Sequence, residues 1–591
     1  MDKSREYTVE FPLQDKTIQA PHGITLAQAA ALAGFPLNLV CGGKGTCGKC
    51  WISIEKAGVK SRVMACRTLL EEPVSLFLQA EDYVHQANIL TGGLAGRRAE
   101  LRPAVTKTYL PAKEMTPDYC GGFTSWTDPY LLKKLGEIFR QGAEDQGITL
   151  VKRQDQVIDI QAGDTRALLY GAACDIGTTS VALFIYDLNS GTLLLTLSGL
   201  NGQISHGADV ISRIAFACGE EAGTKILQEL IGKTINDLLE QGAASLPGLK
   251  ENLFSFVAGG NTAMQHFFFG YYPENLGHSP FASLSLERQE TTGADSGLEL
   301  PRRCQVTFLP LIGGFVGGDI TAVLLTIPED RKLRLIIDLG TNGEIVLGTK
   351  DRYLAASTAC GPALEGASLN CGMRGSRGAI ERVTIDAGGA EAILCQVIGG
   401  GQAVGICGSG IVDAVALMLR HGLMDRTGRI LSRKEYEELH GGSDLEARLA
   451  PCLAAHGELP AFYLTPQVFI DQKDIRQIQL AKSAICAGCL ALAANWGLKL
   501  EELDELILAG AFGNYIDKDS ALTIGLLPAV AADKIIPIGN GAGLGTAMYL
   551  LDQNLEAKAR ELIANTCHCE LACDAVFMEQ YICQMDFPEV T

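Results

Sequence analysis

The sequence predicts a multidomain α/β protein. A small N-terminal β-grasp domain spans residues 1–85, a linker 86–104, a small α+β middle domain 105–168, and a large α/β body 169–591. Three observations predict this. First, 591 residues with 47% hydrophobic content exceed what one core organises, and they exclude global disorder. Second, the N-terminus reads strand, strand, helix, Gly/Cys-rich loop, strand, which is the order of a β-grasp. Third, apolar strands alternate with amphipathic helices from Tyr170 onward, and the turn Asp-x-Gly-Thr occurs twice at the end of such strands.

Residues 6–12 alternate as a strand, 16–20 can pair with them, 25–34 form a short helix, and 51–55 form a strand after the cysteine loop 41–50. The stretch 86–104, around GGLAGRRAELRP, has linker composition, and 105–168 carries no chemical motif. Farther on, Ile226, Leu227, Leu230, Ile231, Ile235 and Leu238 form a core-facing helical stripe. The most membrane-like run, residues 483–494, is too short to span a bilayer and reads as a buried helix.

With Lys+Arg at 49 and Asp+Glu at 68, the net charge of −19 opposes binding to nucleic acid or anionic membrane. The start MDKSREYTVEF has no apolar export signal, so a cytoplasmic setting is expected. There the 19 cysteines stay reduced, and a cluster of them suggests metal ligation; the scattered ones read as small buried residues.

Cys41, Cys47 and Cys50 are spaced C-x5-C-x2-C, and Cys66 follows after fifteen residues. A [2Fe–2S] cluster needs four converging thiolates and backbone N–H groups aimed at its sulfurs, and Gly42, Gly43 and Gly45 allow that close approach. Structural zinc prefers paired C-x2–4-C knuckles, of which only one is present, so the spacing favours iron–sulfur. The loop resembles plant- and adrenodoxin-type ferredoxins, with a first gap of x5 instead of x4 and a shorter gap to the last cysteine. Cys567, Cys569, Cys573 and Cys583 have gaps of one, three and nine, unlike the C-x2-C-x2-C run of a second cluster.

Asp175-Ile176-Gly177-Thr178-Thr179 and Asp338-Leu339-Gly340-Thr341-Asn342 each end an apolar strand and precede another. Small residues at a hairpin tip let N–H groups and hydroxyls reach phosphate oxygens, and the carboxylate can hold Mg2+ through water. Residues 508–515, with Gly510 and Gly513, can place glycines under an adenine ring, and 539–545 closes the series before a helix. In this order the motifs resemble the phosphate-1, phosphate-2 and adenosine motifs of the acetate and sugar kinase/Hsp70/actin (ASKHA) superfamily. That resemblance implies an actin-like ATPase with two ribonuclease-H-like halves. Neither a P-loop nor a Rossmann fingerprint is present.

A plant-type cluster has a potential near about −400 mV, and ATP-driven closure can offset the cost of an uphill electron. The whole set of motifs, from CGGKGTCGKC (41–50) and CDIGTTSVA (174–182) through NGQISHGADVISRI (201–214), ACGPALEGA (359–367) and LAGAFGNYID (508–517) to IGNGAGLGTA (538–547), resembles the reductive activators of corrinoid proteins. The resemblance implies ATP-dependent reduction of Co(II) to Co(I) in the corrinoid of a partner, either a corrinoid iron–sulfur protein or a methyltransferase corrinoid subunit. It also implies an electron donor such as a ferredoxin or flavodoxin, and a homodimer. By position, Cys41, Cys47, Cys50 and Cys66 would hold the cluster. Asp175, Gly177, Thr178 and Thr179 would meet phosphate and Mg2+, with Asp338, Gly340, Thr341 and Asn342 as the second loop and Gly510 and Gly513 by adenosine. Asp319 is a candidate for placing water or Mg2+, or else a helix N-cap. Alternatives at this point are an ATP-driven reductase of another low-potential acceptor, a small-molecule kinase with a ferredoxin appendage, and a non-enzymatic ATP-binding sensor.

Overall fold

The computed structural model describes residues 6–33, 35, 37, 51–56, 58–78, 100–112, 128–141, 146–207, 209–366, 369–386, 392–440, 442–510, 513 and 515–589. Cys41, Cys47 and Cys50, and most of the expected linker, lie outside them.

At the N-terminus, five strands lie in the order Lys16–Pro21, Glu6–Phe11, Val74–Phe77, Trp51–Lys56, Val59–Met64. Glu6–Phe11 runs parallel to Val74–Phe77 and all other neighbours are antiparallel, a β-grasp sheet. Alternation puts Val9, Phe11, Ile52, Ile54, Val74 and Leu76 on one face, where Ala27, Ala29 and Ala30 of helix Leu26–Leu32 cover them. Small alanines let this helix lie close to the sheet. Cys66 belongs to the same core and is 7% exposed. It sits in a turn closed by the Arg67 and Thr68 amides donating to Met64 O.

Val105–Leu110, Ile148–Arg153 and Gln156–Ala162 form a three-stranded antiparallel sheet. Helix Pro129–Arg140 packs on it through Leu131, Leu135 and Ile138, and Asp128 caps the helix by accepting from the Tyr130 amide at 2.9 Å. Lys107 ties this unit to the body. Its ammonium donates to Gln161 Oε1, Leu168 O and Asn252 Oδ1, each at 2.6 Å. Burial lowers its pKa to about 8.

The body repeats one topology. In the first half, Thr192–Leu200, Ser180–Asp187 and Tyr170–Ile176 make an antiparallel meander, and Leu253–Gly260 and Gln305–Phe308 extend it in parallel from Tyr170–Ile176. In the second half, Arg352–Thr358, Gly343–Thr349 and Arg334–Leu339 make the meander, with Glu505–Ala509 and Ile535–Gly539 in parallel beside it. These are two ribonuclease-H-like halves. Edge strands differ: Gln289–Thr292 borders the first sheet antiparallel, and Thr566–His568 the second in parallel.

Helices Gly318–Thr326 and Gly541–Leu551 each follow the last parallel strand of a half, and they pack on each other within one shared apolar core. Their crossing is tight at Gly545, where a Cβ would lie 1.8 Å from Ala322 O. Residues 541–545, expected before a helix, are instead its first turns, and their glycines serve close packing. The apolar run 483–494 lies in helix Gln472–Trp496, of whose most apolar window 78% is buried inside the protein. The expected stripe on helix Gly223–Ser245 buries Leu227, Ile231, Ile235 and Leu238.

Candidate functional site

Each Asp-x-Gly-Thr segment is the end of one strand and the tip of a hairpin. Gly177 N donates to Ser180 O at 2.9 Å, and Gly340 N to Asn342 O at 3.0 Å, so the second hairpin closes one residue tighter than the first. A Cβ on Gly177 would meet Ser180 O at 2.7 Å, which explains the glycine there. The two tips meet across the halves, with Thr179 Oγ1 and Thr341 Oγ1 2.8 Å apart. Thr341 Oγ1 also donates to Glu365 Oε1 at 2.8 Å.

Beneath the tips lie four carboxyl groups, of Asp175, Asp319, Asp338 and Glu344. Burial raises Asp175 to about 6, although Asn540 Nδ2 donates to its Oδ2 at 2.8 Å and opposes the shift. Burial first, and then the Asp175 charge, raises Asp319 to about 7. Burial together with Asp319 and Asp175 raises Asp338 to about 8, and burial with Asp319 and Asp338 drives Glu344 well above the usual carboxylate range. No cationic side chain appears among these causes. The cluster is therefore short of positive charge. Asp319 is not a helix N-cap: Gly317 holds that position, and Asp319 stands in the first turn.

The first hairpin is braced from behind. Asn201 Nδ2 donates to Gly177 O at 2.9 Å, and Asn261 Nδ2 to Thr178 Oγ1 at 3.0 Å. The fully buried Arg213 guanidinium donates to Thr178 O, to Gly207 O at 2.9 Å and to Gln203 Oε1 at 3.1 Å. Asn201, Gln203, Gly207 and Arg213 thus buttress the first hairpin. Gly510 adjoins the second hairpin at φ +94°, where a Cβ would lie 2.5 Å from Leu339 O and 2.8 Å from Asp338 Oδ1. Gly513 follows, its amide donating to Gly510 O at 3.1 Å. Asn540 joins the halves: its Oδ1 accepts from Gly543 N at 2.6 Å to start helix Gly541–Leu551, while its amide holds Asp175.

The structure therefore brings together Asp175, Gly177, Thr178, Thr179, Asp319, Asp338, Gly340, Thr341 and Gly510. Sequence reasoning passed over Glu344, Glu365, Asn261, Arg213 and Asn540. Of these, Glu344 could have been found from its place six residues after Asp338 on an apolar strand. The His206 ring lies tilted against Phe216 with centroids 4.3 Å apart, and His266 Nδ1 lies 3.0 Å from Thr262 O, both structural roles. Among the described residues no group of three or more His, Cys, Asp or Glu side chains is arranged to hold a metal ion by itself. Cys567, Cys573 and Cys583 are exposed, and Cys569 is half-buried.

A family profile described as the RACo middle region matches residues 170–331, and one described as the C-terminal domain of RACo, the ASKHA domain, matches 332–591. The border falls between the two halves. A curated relative from Eubacterium limosum, corrinoid activation enzyme RamQ, is 37% identical over 97% of this chain and 98% of its own length. This chain belongs to the family of reductive activators of corrinoid proteins. Among the activators, a Methanosarcina barkeri protein named [Co(II) methylated amine-specific corrinoid protein] reductase is 26% identical over 71% of this chain and 77% of its own. A solved structure titled reductive activator for corrinoid, iron-sulfur protein superposes with a TM-score of 0.74 at 29% identity, covering 99% of both chains.

Proposed function

We propose that this activator uses ATP to reduce Co(II) to Co(I) in the corrinoid of a partner protein, taking one electron from a low-potential donor such as a ferredoxin or flavodoxin. The reading rests on one observation. Two Asp-x-Gly-Thr hairpins meet over a cation-poor carboxylate cluster, in a chain that matches a corrinoid activation enzyme along 97% of its length.

Thr178, Thr179, Thr341 and the hairpin amides would hold the phosphates, with Asn342 beside them. Asp175 and Asp338, assisted by Asp319, would hold Mg2+, whose charge offsets the burial that raises both and the neighbouring carboxylates that add to it at Asp338. Gly510 and Gly513 would lie beside the adenosine. Cys41, Cys47, Cys50 and Cys66 would hold a [2Fe–2S] cluster, which supplies a low-potential one-electron carrier. The soft thiol of Cys66, buried in the β-grasp core at a strand end, fits that donor set. The partner is a corrinoid iron–sulfur protein or a methyltransferase corrinoid subunit. The activator itself works as a cytoplasmic homodimer, a state that light scattering tests.

To test the reading, the anaerobic protein is mixed with a Co(II) corrinoid protein and a low-potential reductant, and visible spectra are taken before and after MgATP. A Co(I) band that grows only with MgATP, and is lost in Cys66→Ala, supports it. Phosphate release with cobalt left as Co(II) across several corrinoid partners refutes the corrinoid assignment and leaves the ATPase.

A further inference from the structure

We propose that Glu365 orients the attacking water in ATP hydrolysis, placed at the phosphate end of the site by the hydrogen-bond chain Thr179–Thr341–Glu365. The inference rests on the ATP-hydrolysing reading above.

Glu365 ends a short 3-10 turn, Pro362–Glu365, that follows the strand Arg352–Thr358. The turn is held against the second hairpin from below, because the buried Cys360 thiol lies 3.6 Å from Gly340 O and 3.4 Å from Thr341 O. Glu365 consequently stands at the hairpin tip, and a Cβ on Gly340 would be 4.0 Å from Glu365 Oε1. Its placement comes from the second half alone and does not wait for the halves to close.

The chain of hydroxyls has a direction. Thr341 gives its single proton to the Glu365 carboxylate. The 2.8 Å contact between the threonines is then filled by the Thr179 proton. Both hydroxyls therefore point along one chain toward Glu365. A terminal phosphate presents acceptors only. Once it enters, both hydroxyls turn to donate to it, and Glu365 loses its donor beside the phosphorus. Two acceptors cannot bond directly, but a water between them can: one O–H goes to Glu365 and a lone pair faces phosphorus. The new bond joins water oxygen to the γ-phosphorus. The bond from that phosphorus to the β–γ bridging oxygen breaks, ADP leaves with the electron pair, and the water proton departs with the phosphate.

The other carboxylates are poorly suited to this task. Asp175 is tied to Asn540, and Asp175, Asp319 and Asp338 lie together where a cation would sit.

The test uses the full-length, cluster-loaded protein with Mg2+, and measures phosphate release against ATP concentration for wild type, Glu365→Gln and Glu365→Asp. Glutamine keeps an acceptor for Thr341, so an unchanged unfolding midpoint is expected. The expected result is a kcat lowered about 100-fold or more in Glu365→Gln at nearly unchanged KM, with a smaller loss in Glu365→Asp. A Glu365→Gln kcat within about threefold of wild type overturns the proposal, as does a loss that resides in KM alone, which marks a pure latch. A wild type that releases no phosphate refutes the ATPase reading itself.

Discussion

Gly545 sets how closely the two halves of the body approach, so Gly545→Ala measures that constraint directly. The added methyl would lie 1.8 Å from Ala322 O and 2.3 Å from its carbonyl carbon, both backbone atoms that no rotamer change can withdraw. Helices Gly541–Leu551 and Gly318–Thr326 must then separate by about 1 Å or more inside a close-packed core. Overpacking of this kind costs about 1–3 kcal/mol, and the better helix propensity of alanine returns at most about 1 kcal/mol. A net loss of about 1–2 kcal/mol is expected. The same helix begins at Asn540, so the shift also draws that amide from Asp175, and the KM for ATP should rise several-fold. Urea unfolding followed by circular dichroism reads the first effect and phosphate release the second. Gly136→Ala is the control. It lies within helix Pro129–Arg140 with open space at its Cβ, and should gain about 0.5–1 kcal/mol. A Gly545→Ala midpoint at or above wild type would refute the packing argument.

Further outcomes follow from the same geometry. Asp175, Asp319 and Asp338 titrate at about 6, 7 and 8 in the folded chain, above their unfolded values. The folded state then keeps protons the unfolded state releases, so nucleotide-free stability falls as pH rises from about 4 to about 8. Thermal midpoints should show more Mg2+ stabilisation at pH 8 than at pH 6, and Asp338→Asn should flatten the profile between them. Asn540→Ala removes a helix cap together with the amide on Asp175, and should cost about 1–2 kcal/mol in urea unfolding while weakening ATP binding by calorimetry. Lys107→Met takes the ammonium donor from Leu168 O and one of two donors from Gln161 Oε1 and Asn252 Oδ1, and limited proteolysis should then cut faster between the small α+β unit and the body.

The sequence made the chemistry of the hairpins legible because it is local: Asp175 and Thr179, or Asp338 and Thr341, stand within five residues of each other on strands marked by unbroken apolar runs. The N-terminal strand order was legible for the same reason, through alternation at Val9, Phe11, Ile52 and Ile54. What escaped was every residue that reaches the site from elsewhere. Arg213 and Asn261 look like ordinary polar residues on a helix and at a cap until folding sets them behind Thr178. Glu365 is 24 residues from Thr341, in a segment with no helical or strand period. The glycines at 541, 543 and 545, expected ahead of a helix, lie inside it and meet Ile538, Phe184 and Ala322. Glycine spacing alone does not tell close approach to a ligand from close approach to a helix.

The double use of Asn540 makes one side chain a two-way reporter. Its oxygen starts a helix that lies along the seam of both halves, and its nitrogen steadies an aspartate of the opposite half. Any ligand that changes the charge on Asp175 therefore changes the strength of that helix's first turn, and by reciprocity any partner that strains the helix alters how firmly Asp175 binds. A signal between the Asp175 carboxylate and the helix at the seam of the two halves need cross only a single amide group.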